Sequence, residues 1–151
     1  MPSSLKTLPA GAGESWTVIG GDVIVCKATG DETGGQCAIF ETTTPVGGGS
    51  PPHVHHREDE LFYVLEGQYV FSVGKQRIPA GTGAFLIAPR DIPHRFENVG
   101  DKPGKLLVVA TPPGIEKFFA ALSLLPIDAP PPPDTLAELT AKYGIEFLPS
   151  V

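Results

Sequence analysis

The chain has 151 residues, of which 41% are apolar and 19% charged, and its formal net charge at pH 7 is −6. A chain of this length buries about two-thirds of its unfolded surface, so it can form a core without disulfide bonds. The acidic balance and the 11 scattered basic residues argue against a nucleic-acid partner. No apolar run approaches the roughly 18 residues that span a bilayer, and residues 1–13 lack the apolar core of a signal peptide. We therefore expect a cytoplasmic protein that binds neither nucleic acid nor membrane.

The sequence has the pattern of an all-β protein up to about residue 113. Glycine (18 residues) and proline (17 residues) are frequent, and they separate short runs of β-branched, aromatic and aliphatic residues, as strands joined by turns do. The predicted strands, in chain order, cover residues 15–19, 22–28, 36–43, 60–65, 68–73, 84–88, 94–98 and 105–111. This many short strands predicts a sandwich, barrel or jelly roll.

The C-terminal part of the chain has helical patterns. Apolar residues recur at helical spacing over 115–123, so this helix should pack one face on the barrel. Its Phe118 and Phe119 could form a lid over the barrel mouth or pack on the barrel exterior, and the sequence leaves both roles open. A second helix is predicted from Asp134, as its N-cap, to residue 143.

The predicted organisation is one domain over residues 1–151. The barrel core covers about 15–113, and the short helices and Pro-rich tail cover 114–151. The N-terminal arm and the stiff segment 130–133 have the character of segments that lie across a neighbouring subunit. Since strand edges otherwise stay exposed, we expect a homodimer, the commonest closed assembly.

The chemistry is concentrated around the histidines, all four of which lie between residues 53 and 94. On an extended strand His53 and His55 project to the same face. Glu60 opens the next apolar run and His94 opens a later strand, so they can add an oxygen and a third nitrogen. Three imidazoles and one carboxylate suit one divalent transition metal (Fe, Ni, Mn, Zn, Co or Cu) rather than Ca or Mg. His56 points to the opposite face, and a solvated loop position is expected for it.

Two motifs connect these residues. The first is Gly47, five residues, His53-x-His55, four residues, Glu60, six residues and Gly67; the second is Gly83, five residues, Pro89-x-Asp91, two residues, His94, three residues and Asn98. Over about residues 47–98 the chain resembles the cupin superfamily. Asp91 replaces a common glycine, a mild change because Asp tolerates the left-handed conformation in turns.

The resemblance implies a double-stranded β-helix, the jelly-roll barrel of cupins, with the metal inside the barrel mouth. It also implies His53, His55, Glu60 and His94 as the four metal ligands. The alternative is that these are merely polar residues at strand ends. A buried cluster of this composition would be costly without an ion, so we expect metal binding.

Side chains with the parity of the ligands are expected to line the cavity. Phe62 and Val64 share the parity of Glu60, and Phe96 shares that of His94. They could form an apolar substrate pocket, and core packing would explain them equally well.

Three functions fit a metal site with open coordination positions. The first is a dioxygenase acting on a small flavonol- or catechol-like substrate, with Glu60 as both ligand and catalytic base. The second is a metal-dependent isomerase, epimerase or lyase, and the third is a non-enzymatic small-molecule or metal-binding protein. Resemblance to the quercetinase-like group favours the dioxygenase.

Overall fold

The computed structural model describes residues 3–149, and none of the helices in that range is long and apolar enough to cross a membrane. The chain folds mostly into strands. They are β1 (Glu14–Thr17), β2 (Val23–Ala28), β3 (Ala38–Thr44), β4 (His53–His55), β5 (Asp59–Glu66), β6 (Gln68–Val73), β7 (Gln76–Gly81), β8 (Phe85–Ala88), β9 (His94–Asn98), β10 (Gly104–Thr111) and β11 (Ile145–Phe147). The helices are α1 (Ile115–Leu122) and α2 (Pro133–Lys142).

The strands form two antiparallel sheets that share one hydrophobic core. The six-stranded sheet has the order β1-β2-β3-β10-β5-β8, and the five-stranded sheet has the order β11-β4-β9-β6-β7. Alternate residues of β3 and β10 are buried, because side chains of a strand point to opposite faces in turn. The core takes residues from both sheets and from α1. The predicted all-β jelly-roll barrel with short C-terminal helices is confirmed.

Apart from β4, which was assumed to be extended at its two histidines but given no range, two strands were not predicted from the sequence. β7 contains Pro79 and begins with polar residues, so it lacks the pattern of a strand. It lies at the edge of the five-stranded sheet, where a proline costs little. β11 has only three residues, too few for a periodic pattern, and it forms because β4 offers it a free edge.

The predicted N-cap of the second helix is wrong. α2 begins at Pro133, with Pro132 at the cap position and no capping hydrogen bond from a side chain. Asp134 therefore lies inside the first turn. The physical reason is that proline has the backbone φ angle of a helix and needs no N–H partner at the first helical position.

The motif glycines occupy backbone conformations that other residues rarely adopt. Gly47, Gly67 and Gly83 have φ angles of 73°, 106° and 89°. Asp91 has a φ angle of 67°, which confirms that this position is left-handed and that aspartate is accepted there.

Glu116 connects α1 to the barrel. Its carboxylate accepts a hydrogen bond from the Gly30 amide at 3.0 Å and another from the Gly114 amide at 2.7 Å. The side chain is buried and lies in the first turn of α1, where negative charge is favourable. Glu116 therefore holds α1 against the loop that follows β2.

We expect Glu116→Ala to lower the free energy of unfolding by about 2–3 kcal/mol, because it leaves buried amides without an acceptor. Chemical denaturation measures this change. Glu138→Ala, at an exposed position of α2, is the control and should change stability little. Equal effects of the two substitutions would contradict the role of Glu116.

The outer face of β5 and β8 carries exposed apolar side chains. Tyr63, Phe85 and Ile87 are 43%, 57% and 52% exposed, and Tyr63 and Phe85 are cross-strand partners. β8 is also the edge of its sheet. An apolar face beside a free edge is suited to pairing with a second copy, so this is where we expect the homodimer to form.

If the proposed homodimer forms, light scattering should give twice the 15.9 kDa mass of the chain. Phe85→Lys should convert the dimer to monomer, since it places a charge in the interface. Val46→Lys, at another exposed apolar position, should leave the mass unchanged. A wild-type monomer at micromolar concentration would refute the expectation.

Candidate metal centre

The structure brings the four predicted metal ligands together. One nitrogen or oxygen from each of His53, His55, Glu60 and His94 lies within 4.8 Å of the others. All four side chains are buried. The cluster joins the two sheets, since the histidines come from β4 and β9 and the glutamate comes from β5.

Strand geometry explains this convergence. His53 and His55 point to one side of β4 because they are two residues apart, and His53 is the direct cross-strand partner of His94 on β9. Glu60 faces them from the other sheet. Its cross-strand neighbours are Ala88 and Ala110, whose small side chains leave room around the carboxylate.

Two of the imidazoles are oriented by acceptors behind them. Nδ1–H of His53 donates to the carbonyl oxygen of Pro51 at 2.8 Å, and Nδ1–H of His55 donates to Oε1 of Glu58 at 2.9 Å. In both rings the Nε2 atom is left for the cluster. A carboxylate behind a histidine is the arrangement that orients metal-binding imidazoles.

Glu58 was missed in the sequence, where it lies in the polar run after His56. It is buried, unlike a solvated loop residue. The signal that could have found it is chemical: a metal-binding histidine needs an acceptor for its second nitrogen, and Glu58 lies three residues after His55 on the turn into β5.

The cluster contains buried nitrogen atoms without hydrogen bonds. Nε2 of His55 lies 2.7 Å from Oε1 of Glu60, but the two atoms do not meet at a hydrogen-bonding angle. Nδ1 of His94 also has no partner, while its Nε2–H donates to Oε1 of Glu60 at 3.0 Å. An unpartnered buried nitrogen is costly, and a cation within the cluster would satisfy Nε2 of His55, which faces Glu60. The residues therefore fit a metal ion.

The charges of the cluster also favour a cation. Burial lowers the pKa of His53 to about 3, and His94 and His55 act in the same direction. Burial opposes protonation of His55 too, but Glu60 and Glu58 outweigh it and raise the pKa of His55 to about 10. Burial opposes ionisation of Glu60, yet His55 and His94 hold its pKa well below the usual range. The metal-free cluster thus contains a buried carboxylate that attracts positive charge.

His56 lies outside the cluster, as predicted from strand alternation. Its side chain is about half exposed, with Nδ1 2.7 Å from Oδ1 of Asp91 and Nε2 3.3 Å from Oε2 of Glu146. It connects the turn before β9 to β11, so its contacts are structural ones on the surface.

A cavity of about 380 Å³ adjoins the cluster. His53, His55 and Glu60 border it, whereas His94 does not. Its walls are largely apolar and include the side chains of Phe40, Phe62, Phe96, Val108, Phe118 and Phe147. Among residues 3–149 no lysine or arginine borders it. The expected positions of Phe62 and Phe96 are confirmed, but Val64 packs in the core instead, because it lies two residues deeper along β5.

The C-terminal segment forms one wall of this cavity. Phe118 and Phe119 of α1 both border it, and Phe119 packs edge-on against Phe40. Pro130 and Pro131, expected to lie across a neighbouring subunit, border the chain's own cavity.

One family model and several known proteins are similar to this chain. A family model described as "Cupin domain" matches residues 40–110, a range that contains all four cluster residues. Protein MJ1618 of Methanocaldococcus jannaschii is 30% identical over 76 residues, which are 50% of this chain and 61% of the relative. The polyketide synthase CurC of Streptomyces cyaneus is 32% identical over 60 residues, 40% of this chain and 39% of CurC. The chain thus spans less than two-thirds of either relative.

A solved structure is similar over a longer range. A sugar phosphate isomerase of the cupin superfamily from Silicibacter pomeroyi is 26% identical, with a TM-score of 0.60, over 70% of this chain and 75% of that one. The motifs, the two-sheet barrel, the clustered histidines and glutamate, and these similarities support the cupin superfamily, whose domain model matches residues 40–110 of the chain.

Proposed function

We propose that His53, His55, Glu60 and His94 hold one divalent transition-metal ion. The donor set supports this, because three imidazoles and a carboxylate match the preferences of Fe, Ni, Mn, Zn, Co and Cu. The unpartnered Nε2 atom of His55 and the Glu58 carboxylate behind His55 also support it.

Metal affinity of the apoprotein, measured by calorimetric titration with Zn²⁺, tests the site. His94→Ala should abolish tight binding. Glu58→Gln should weaken binding about 10- to 100-fold, the usual effect of removing an acceptor behind a metal-binding histidine.

His56→Ala is the matched control, since His56 neighbours the cluster in sequence but lies outside it. The Zn²⁺ affinity of the His56→Ala variant should equal that of the wild type. Equal losses in His56→Ala and His94→Ala would contradict the assignment.

The cavity supports an enzymatic role for the metal. Four protein ligands leave one or two positions for a substrate oxygen, and a bound ion would polarise that oxygen and acidify its proton. The imidazoles of His55 and His94 both approach Oε1 of Glu60. No hydrogen bond to Oε2 of Glu60 occurs among residues 3–149. Oε2 is therefore available to accept a proton from a bound substrate.

The aromatic side chains in the cavity wall support a proposal for the class of substrate. Phenyl rings bordering a cavity without lysine or arginine favour a planar, apolar molecule over a phosphorylated one, because phosphate recognition calls for basic groups. We therefore propose a dioxygenase that acts on a flavonol- or catechol-like substrate. Removal of the hydroxyl proton by Glu60 makes the electron-rich enolate or phenolate that reacts with dioxygen, and the apolar walls exclude water.

A second candidate is isomerisation or cyclisation of a similar substrate without dioxygen. The similarity to the polyketide synthase CurC and to a cupin isomerase favours it. Proton transfer by Glu60 would serve such a reaction equally well, so the two candidates differ in their need for dioxygen.

An oxygen electrode separates them. With quercetin or 4-methylcatechol, protein loaded with Fe²⁺, Ni²⁺ or Mn²⁺ should consume dioxygen in proportion to substrate. Conversion should stop under argon. Conversion that proceeds at the same rate under argon would overturn the dioxygenase and favour isomerisation or cyclisation.

Glu60→Gln tests the base. Proton transfer by a positioned side chain contributes about 10²- to 10⁴-fold. Once reloaded to full metal occupancy, the Gln variant should still bind substrate but lose turnover by that factor. Near-normal turnover at full occupancy would leave Glu60 as a ligand only.

A further inference from the structure

Asp22 is a carboxyl group buried without a charged partner. The residue is 6% exposed, and its Oδ1 atom makes no hydrogen bond. None of the ion pairs among residues 3–149 includes it. Burial raises the pKa of Asp22 to about 7, although the nearby Thr44 side chain acts in the opposite direction. Such a group destabilises a fold, so packing alone does not explain it.

Asp22 borders the same cavity as the metal-binding cluster but lies toward the other end of the strands. Asp22 directly precedes β2, whose first residue, Val23, pairs with Thr43 of β3, so Asp22 lies level with Thr44. Thr44 in turn pairs with Gly104 of β10. Glu60 pairs with Ala110 on that same strand. Apolar side chains line the cavity between the position of Asp22 and that of Glu60. The cavity therefore has the histidine–glutamate cluster at one end and the Asp22 carboxyl toward the other.

Neighbouring polar groups satisfy Asp22 only in part. Burial dominates the pKa shifts of Asp22 and Tyr69. The Thr44 side chain acts to lower both pKa values, and the charge of Asp22 acts to raise that of Tyr69. Yet Oγ1 of Thr44 and the hydroxyl of Tyr69 are themselves buried without hydrogen bonds. The Thr44 side chain is within hydrogen-bonding reach of both Asp22 and Tyr69, but its single hydroxyl proton can serve only one oxygen of the carboxyl, so an acceptor position of Asp22 stays open.

We propose that Asp22 is a second substrate-binding residue, which accepts a hydrogen bond from a hydroxyl or amino group at the end of the molecule remote from the metal cluster. The ligand class is then an elongated, largely aromatic molecule with a metal-binding phenol or enol at one end and a hydrogen-bond donor at the other. This inference rests on the proposed function, because the metal cluster anchors the first end.

Paired catechols test the proposal. Each pair consists of a 4-alkylcatechol and a 4-(ω-hydroxyalkyl)catechol of the same chain length, from two to six carbons. Binding to the Zn²⁺-loaded protein is measured by calorimetry, because Zn²⁺ is redox-inert and prevents turnover. For one chain length the hydroxyl compound should bind at least tenfold tighter than its alkyl partner.

The preference should depend on Asp22. It should shrink in Asp22→Asn, which keeps one acceptor oxygen, and vanish in Asp22→Leu, while alkylcatechol affinity stays within about threefold. The control Asp101→Asn, at an exposed position, should keep the full preference. Absence of any hydroxyl preference in the wild type, or its survival in Asp22→Leu, would overturn the proposal.

Stability measurements give a readout that does not need a ligand. At pH 8 most Asp22 side chains are ionised, and an unpaired buried charge destabilises the fold. If Asp22 is kept for binding, Asp22→Asn and Asp22→Leu should therefore be at least as stable as the wild type in urea. A lower midpoint in both variants would identify a structural role and overturn the proposal. If no catechol binds at all, the proposed function fails, and this comparison alone decides the role of Asp22.

Discussion

The carboxylate of Glu60 lies between the imidazoles of His55 and His94, 2.7 Å and 3.0 Å from the nearest ring nitrogens, and the two sheets meet at this contact. Burying ionisable groups together costs free energy unless each is paired. The barrel meets this constraint with an acceptor behind His55 and small neighbours around Glu60, and a cation would satisfy the unpartnered Nε2 of His55. The same low-polarity surroundings that make the cluster costly strengthen its attraction for a metal ion.

The barrel and the C-terminal segment contribute different parts of the site. The barrel strands carry all four residues of the histidine–glutamate cluster. The C-terminal segment supplies a wall of the cavity, through α1, the Pro130–Pro131 stretch, and Phe147 of β11. β11 also pairs directly with β4, the strand of His53 and His55. The cluster and much of the cavity wall are therefore separable: substitutions in the C-terminal segment can change the shape of the cavity while the four cluster residues stay in place.

The sequence predicted the parts of the site that depend on local geometry and motif spacing. Alternation along a strand placed His53 and His55 on one face, and motif resemblance added Glu60 and His94. Asp91 was correctly assigned to a left-handed turn, since few residue types adopt that conformation.

What the sequence did not show depends on tertiary contacts. Glu58 is polar in a polar run, and only the position of His55 gives it a buried partner. β11 forms because β4 has a free edge. Asp22 precedes an ordinary strand, and its burial beside the cavity follows from the packing of distant segments. None of these has a periodic or motif signal, because each depends on what another part of the chain places beside it.

X-ray absorption spectroscopy of the metal-loaded protein tests the central claim most directly, since it reports the atoms bound to the ion. The account predicts a shell of three imidazoles and one carboxylate oxygen, completed by exchangeable oxygen ligands that a catechol replaces. A shell without imidazoles, or one that a catechol leaves unchanged because no position is open, would contradict it.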